Sequence, residues 1–472
     1  MARLKADGGA GDFVALVRAG KLAEAEAECR RRLALRPGHP ETLNNLANVL
    51  EDLGRPGEAE QMYAEAIAAR PDFAEAHYNL GLLFHNQRRL AEAEAAYRRA
   101  LALRPQLFLA YNNLGAALRD QRRPQEAVAA FEAAVRLRPD YADAHMNQAM
   151  CQLLLGDFAK GWAQYEWRWR TAQARAEEPH RFPQPPWLGQ EEIRGKTILL
   201  HAEQGFGDTL QFCRFAPRVA ARGARVILEV QPGLEGLLER LDGVAGVVTR
   251  GGPLPPFDLR TPLLSLPLAL GAGLEDVGAS VPYLAADPEA SARWAARLGE
   301  RRALRVGLVW AGASRSNNPA AAATDDRRSL PLSAFEPLAL VEGVEFYSLQ
   351  KGSGADQLAA ARWGGWGGPD ILDHAAELTN FADTAALIAN LDLVISCDTS
   401  VAHLAGAIGK PVWILSRFDG CWRWLTDRDD SPWYPTARLF RQSAPSGWSE
   451  VVKRIVPALA ERAAARRDTL QS

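Results

Sequence analysis

The sequence predicts a chain of mixed α and α/β class, an all-α repeat superhelix followed by two α/β domains with parallel sheets. Three observations carry this reading. Pro37, Pro71, Pro105 and Pro139 fall 34 residues apart, a fixed period that marks stacked helix pairs. From Lys196 the apolar pattern changes to buried-strand runs separated by amphipathic helices, as βαβ units require. A second such series opens with ALRVGLVWAG. At 472 residues the chain has length for two or three cores.

The repeats come first. NNLANVLEDLGR from Asn44, YNLGLLFHNQRR from Tyr78, YNNLGAALRDQRR from Tyr111 and HMNQAMCQLLLGD from His145 each read as the first helix of a unit. AEAEAAYRRALALRP and QEAVAAFEAAVRLRP are second helices, with Ala where helices approach and Tyr97 or Phe131 filling the gap. Proline ends each second helix, because it has no N–H to donate and disfavours α geometry in the residue before it. Over residues 11–170 this pattern resembles the tetratricopeptide repeat family. Such helix pairs stack into a superhelix with a concave face. Asn44, Asn45, Asn79, Asn112, Asn113 and Asn147 recur on first helices. Their amides read either as grips on the extended backbone of a protein partner or as partners for helix ends and solvent. The last helix carries Trp162, Tyr165, Trp167 and Trp169, an aromatic load expected to bury against the next domain.

Residues 171–196 are Pro-rich, lack either period and read as a connecting strap. The first α/β domain is expected over 197–284, with strands in KTILLHAE, ARVILEV, GVVTR and FDLR. The second is expected over 285–472, with strands in ALRVGLVWAG, VEFYSLQKG, DLVISCDTS and PVWIL. Open parallel sheets bind ligands at the carboxyl ends of their strands. The segments to weigh are therefore Glu203 to Asp208, Ala311 to Ser329, Gln350 with Lys351, and Asp398 to His403.

In HAEQGFGDT, Gly205 and Gly207 allow a tight turn and close backbone approach. The motif is not the GxGxxG of dinucleotide folds, since Leu210 stands in place of the third glycine. Asp208 reads either as a general base toward a bound hydroxyl or as a helix cap. TSVAHLAGAIGKPVW offers helix-start N–H groups, the hydroxyls of Thr399 and Ser400, and His403 one turn in, a set suited to phosphate. The alternative is ordinary capping with His403 in the core. Arg327 and Arg328 follow ASRSNNPAAAA, which reads as a mobile loop delivering guanidinium to phosphate. The alternative is a solvated charge pairing with Asp325 and Asp326. Gln350 and Lys351 end a strand, suited to base or phosphate contact or to a surface turn. Trp422, Trp424, Trp433 and Tyr434 are candidates to wall a sugar or nucleobase cleft, or to form core.

Composition excludes several classes. A net charge of −2 without a dense basic block argues against nucleic-acid binding. Five cysteines with no CxxC pair point to reduced cytoplasm. The start MARLKADGGAGDF lacks the apolar stretch of a cleaved signal, and no apolar run is long enough for a transmembrane segment. No His/Cys set has metal-ligand spacing, and no GxSxG or Walker sequence occurs.

GFGD after the first strand, DDRRSLP in the middle and DTSVAHLAGAIGKPVW near the end resemble, in that order, the bacterial heptosyltransferase-type glycosyltransferases. With the repeats in front, the layout is similar to bacterial repeat-containing glycosyltransferases and, more distantly, to O-linked N-acetylglucosamine transferases. The resemblance implies a GT-B architecture, two Rossmann-like domains facing a cleft. It also implies an inverting, metal-independent transferase that takes a nucleotide sugar as substrate, needs no cofactor, and acts on a protein or glycan acceptor. By motif, Asp208 would be the base, Arg327 or Arg328 the cation near the donor diphosphate, and Asp398, Thr399, Ser400 and His403 the diphosphate and ribose site. The family usually has Lys where this chain has the two Arg residues. The rival expectation is a repeat scaffold whose GT-B half is inactive.

Overall fold

The structure is a computed structural model and describes residues 11–171, 182–278, 280–313, 319–352 and 354–471. The chain divides into two compact units, 1–155 with 164–176 and 156–163 with 177–472.

In the first unit the helix pairs form as the period predicts. Second helices span Leu22–Leu35, Pro56–Ala69, Leu90–Leu103 and Pro124–Leu137. Each stops two residues before its proline, and the intervening Arg36, Arg70, Arg104 or Arg138 leaves helical geometry, as a following proline ring requires. First helices span Pro40–Asp52, Ala74–Asn86, Phe108–Asp120 and Ala142–Leu154. Gly81 and Gly115 let them sit on aromatic rings. A Cβ at Gly81 would lie 2.7 Å from Tyr97 Cδ1, and one at Gly115 would lie 2.7 Å from Phe131 Cε1. Both rings are fully buried.

The second unit holds two all-parallel sheets. The first has β1 (Thr197–His201), β2 (Arg225–Val230), β3 (Val244–Thr249) and β4 (Leu259–Pro262) in the order β3-β2-β1-β4. The second has β5 (Leu304–Val309), β6 (Val344–Ser348), β7 (Ile371–Asp373), β8 (Leu393–Cys397), β9 (Val412–Ser416) and β10 (Ala437–Arg441) in the order β10-β9-β8-β5-β6-β7. The eight expected strands form. β7 and β10 are additions, one only three residues long and the other at a sheet edge. In each sheet the chain runs outward on one side and then returns to the other, so β1/β4 and β5/β8 are the topological switch points. Crevices open at such points, outside the strands' carboxyl ends.

Two connecting segments are more built-in than their composition suggests. Trp187 is fully buried, its N–H donates to Arg260 O at 2.8 Å, and Pro186 bridges to Arg260, so the later part of the strap extends the β4 edge. The rest of the strap, 172–181, lies outside the described residues. The aromatic helix starts at Phe158, and Trp162 meets Phe212 and Trp422 edge-on at 5.7 and 5.4 Å. Beyond it, Trp167 stacks on His145 of the first unit at 3.8 Å.

Candidate active site

The turn after β1 leads into helix Phe206–Phe212. Asp208, in its first turn, accepts from Gly205 N at 2.9 Å through Oδ2, so the capping reading of this residue is realised. Its other oxygen pairs with Arg423, whose Nε donates to Gln211 Oε1 at 2.7 Å. Across from it, the turn after β8 leads into helix Ser400–Ala407. A Cβ at Gly207 would stand 2.9 Å from His403 Cδ2 and 3.5 Å from Ser400 Cα. Only a glycine lets these two helix starts approach so closely, and this contact brings Asp208 beside the Asp398–His403 turn.

Thr399 occupies the N-cap of helix Ser400–Ala407, but its hydroxyl lies 3.0 Å from Ser396 Oγ and makes no cap. The N–H groups that open a helix have no intrahelical acceptor and carry the positive end of its dipole. His403 is buried, with Nδ1 2.9 Å from Tyr434 OH, Nε2 3.9 Å from Asp398 Oδ1, and its ring stacked on Trp424. Burial pushes its pKa down from 6.5 to about 3, against the pull of Asp398. It is therefore a neutral imidazole at ordinary pH, a dipolar donor or acceptor and not a cation.

Arg327 and Arg328 stand in the last turn of helix Pro319–Arg328, so they are helix-borne. The expected mobile loop is corrected in this part: proline at a first helical position followed by alanines favours helix. Residues 314–318 lie outside the described residues. Arg328 donates to Asp398 O at 3.2 Å and pairs with Asp325 at 2.8 Å, reaching across the β5/β8 switch point. Arg327 turns instead to Asp419 after β9, at 3.2 Å. Gln350 is buried at the end of β6. Its Oε1 accepts from the N–H groups of Trp310 and Ala311, and its Nε2 donates to Ala311 O and Lys351 O. It thus shapes the loop after β5. Lys351 Nζ reaches Ala375 O at 2.5 Å, away from the Asp398 turn's own partners. Trp424, Trp433 and Tyr434 are fully buried, so the expected aromatic wall is largely core.

Sequence reasoning missed Arg214 and Arg423. Arg214 is 3 % exposed and faces Tyr283, Trp433 and Tyr434 through its guanidinium. It donates to Gln211 O, Trp433 O, Val277 O and Tyr283 OH, which ties the helix after β1 to the segments around β10. Neither arginine sits in a motif. Arg214 reaches Trp433 219 residues away, and Arg423 reaches Gln211 and Asp208 212 and 215 residues away, separations no local pattern encodes.

On the repeat unit, the recurrent asparagines bond one another between repeats. Asn79 donates to Asn44 at 2.9 Å, Asn147 to Asn112 at 3.0 Å, and Asn113 to Tyr78 OH at 2.9 Å. Asn44, Asn45, Tyr78 and Asn79 also line a cavity of about 200 Å³ with Glu41, Glu75 and Arg104.

Comparison with known proteins agrees with both halves. Residues 44–107 and 112–176 match the tetratricopeptide repeat family, and residues 375–415, which include the Asp398–His403 turn, match glycosyltransferase family 9 (heptosyltransferase). The chain is 30% identical over 351 residues to Protein FlbA of Caulobacter vibrioides, covering 69% of this chain and 56% of that protein. The chain therefore spans little more than half the length of this curated relative. Among solved structures, MamA aligns at 20% identity over 37% of this chain and 100% of its own, with a TM-score of 0.32. YrrB, described as a TPR protein with an unusual peptide-binding site, aligns at 20% identity over 35% of this chain and 84% of its own, with a TM-score of 0.31. The chain carries tetratricopeptide repeats at its N-terminal side and a family 9 glycosyltransferase domain toward its C-terminus. No described helix is long and apolar enough to cross a membrane.

Proposed function

We propose that the chain transfers a sugar from a nucleoside diphosphate sugar to a hydroxyl of a protein or glycan acceptor, inverting the anomeric centre without a metal. The observation that carries this reading is the approach of Gly207 to His403 and Ser400, which sets the helix turn that bears Asp208 against the start of helix Ser400–Ala407.

In the proposed reaction the acceptor oxygen bonds to the anomeric carbon while that carbon's bond to the phosphate oxygen breaks. The acceptor proton goes to Asp208 and the bonding electron pair leaves with the diphosphate. Negative charge thus grows where the helix N–H groups of Ser400–Ala407 point, with Arg328 held nearby on Asp398 O. Fixed donors of this kind stabilise a leaving anion without reorganising. Neutral His403 suits a hydrogen bond to ribose or phosphate better than an ion pair. The repeat unit, with its cavity of mixed apolar and polar lining, would present the acceptor.

The test is label transfer from a panel of nucleotide sugars to acceptor proteins and glycans, run with wild type and Asp208→Asn. One donor class should label an acceptor, and Asp208→Asn should lower kcat by about 10²–10⁴-fold while donor affinity persists. Transfer at the wild-type rate in Asp208→Asn removes the base assignment. No transfer from any donor moves the reading to a repeat scaffold with an inactive second half.

A further inference from the structure

We infer that Arg423 is a cation shared between the two ends of this reaction, partnering Asp208 before transfer and the leaving diphosphate after it. The inference rests on the proposed function and assigns a residue outside its motifs. Arg423 lies on the turn Trp422–Trp424 after β9, with its guanidinium over the Trp422 ring at 4.3 Å. Nη2 pairs with Asp208 Oδ1, and Nε donates to Gln211 Oε1 at 2.7 Å. Its neighbour Trp424 stacks on His403 at 5.3 Å, and His403 abuts Gly207, next to Asp208. The guanidinium that pairs with the carboxylate is therefore borne by the same turn whose Trp424 ring packs on His403, one turn into the helix. The side chains of Arg423 and Asp208 are only 12% and 17% exposed, so their charges are weakly screened.

Fixed pairing conflicts with base catalysis. A carboxylate held by a guanidinium resists protonation, because the neutral acid forfeits the ion pair. The conflict disappears if the cation follows the charge. As the acceptor proton neutralises Asp208, the electron pair of the breaking bond charges the diphosphate, and Arg423 exchanges one counterion for the other. The planar fork of arginine fits phosphate oxygens as well as carboxylate.

A shared cation makes a prediction that a structural clamp does not. Removing the charge of Asp208 should free Arg423 and tighten diphosphate binding. Binding of UDP, GDP, ADP, CDP and TDP is measured by calorimetry for wild type, Asp208→Asn, Arg423→Gln and the double variant. The diphosphate that binds wild type should bind Asp208→Asn about fivefold or more tightly and Arg423→Gln about fivefold or more weakly. The double variant should follow Arg423→Gln. If Arg423→Gln does not fold, Arg423→Lys, which keeps charge and loses the fork, should still weaken binding and reduce the gain from Asp208→Asn. Unchanged or weaker binding in Asp208→Asn overturns the sharing of Arg423 and leaves the transferase reading standing. A wild type that binds none of the five overturns both.

Discussion

The two units hold themselves together over different distances along the chain. In the repeats, the polar links recur at fixed short separations. Arg55–Glu26, Arg89–Glu60, Arg104–Glu75 and Arg123–Glu94 are all 29 residues apart, and Asn79–Asn44, Asn147–Asn112 and Asn113–Tyr78 are all 35 apart. In the sheet unit, the links that assemble the site join residues 70 to 219 apart, as in Arg328–Asp398, Arg423–Asp208 and Arg214–Trp433. A repeat array distributes its stability over equivalent neighbour interfaces. The sheet unit concentrates it in a few groups with no second copy.

The largest expected effect therefore belongs to Arg214. Arg214→Leu removes the donor to Gln211 O, Val277 O and Trp433 O in a buried setting, and each acceptor left without a partner carries its own desolvation cost. We expect a loss of about 3 kcal/mol or more. Urea unfolding followed by tryptophan fluorescence checks it, because eleven of the thirteen tryptophans lie in the second unit and only Trp167 and Trp169 in the first. Arg214→Lys should rescue little, since one ammonium does not reproduce the fork. A near-neutral Arg214→Leu would mean that the sheet unit, too, spreads its stability widely.

The contrast also explains what was legible in the sequence. Helix ends at Leu35, Ala69, Leu103 and Leu137 follow from a proline repeated every 34 residues, so one rule written four times fixed the array. Strands β1 and β8 were legible from their apolar runs, and the Gly205–Asp208 and Asp398–His403 turns from the helix starts that follow them. β7 was not, because three residues at a sheet edge carry no period. Arg423 was not, because its role depends on Asp208, 215 residues earlier. The Gln350 amide suits a ligand by its chemistry alone, whereas burial turns it onto four backbone groups.

Within the repeats, the sharpest test is steric and local. Gly115→Ala would gain about 1 kcal/mol of helix propensity, but its methyl would stand 2.7 Å from Phe131 Cε1 in a fully buried contact. Overpacking of this kind costs about 1–3 kcal/mol, so we expect a net loss of about 1 kcal/mol in urea unfolding followed by circular dichroism. Phe131→Leu in the same chain should recover part of it, because the partner is 16 residues away in the same helix pair. A Gly115→Ala variant at or above wild-type stability would show that neighbouring repeats yield to strain, against the close contact seen here.

The smallest effect separates the units by pH. His403 has its pKa pushed down to about 3 by burial, from 6.5 when unfolded. Between those values the unfolded chain binds a proton that the folded chain refuses, so its contribution is whole above pH 6.5 and is lost progressively as pH falls toward 3. At pH 5.5 the loss is about 1 kcal/mol. In the repeats, burial alone would raise Asp120, but the hydrogen bond from His85 and the charges of Arg119 and Arg88 outweigh it and hold the carboxyl well below 3.8. Its contribution is complete above 3.8 and is lost only in stronger acid. His403→Gln should therefore flatten the fall in stability between pH 6.5 and 5, read by fluorescence, whereas Asp120→Asn should lower repeat stability at pH 7 and leave that interval unchanged. If His403→Gln leaves the slope intact, the imidazole is not held neutral by burial, and the hydrogen-bonding role given to it at the helix start has to be replaced by that of a cation.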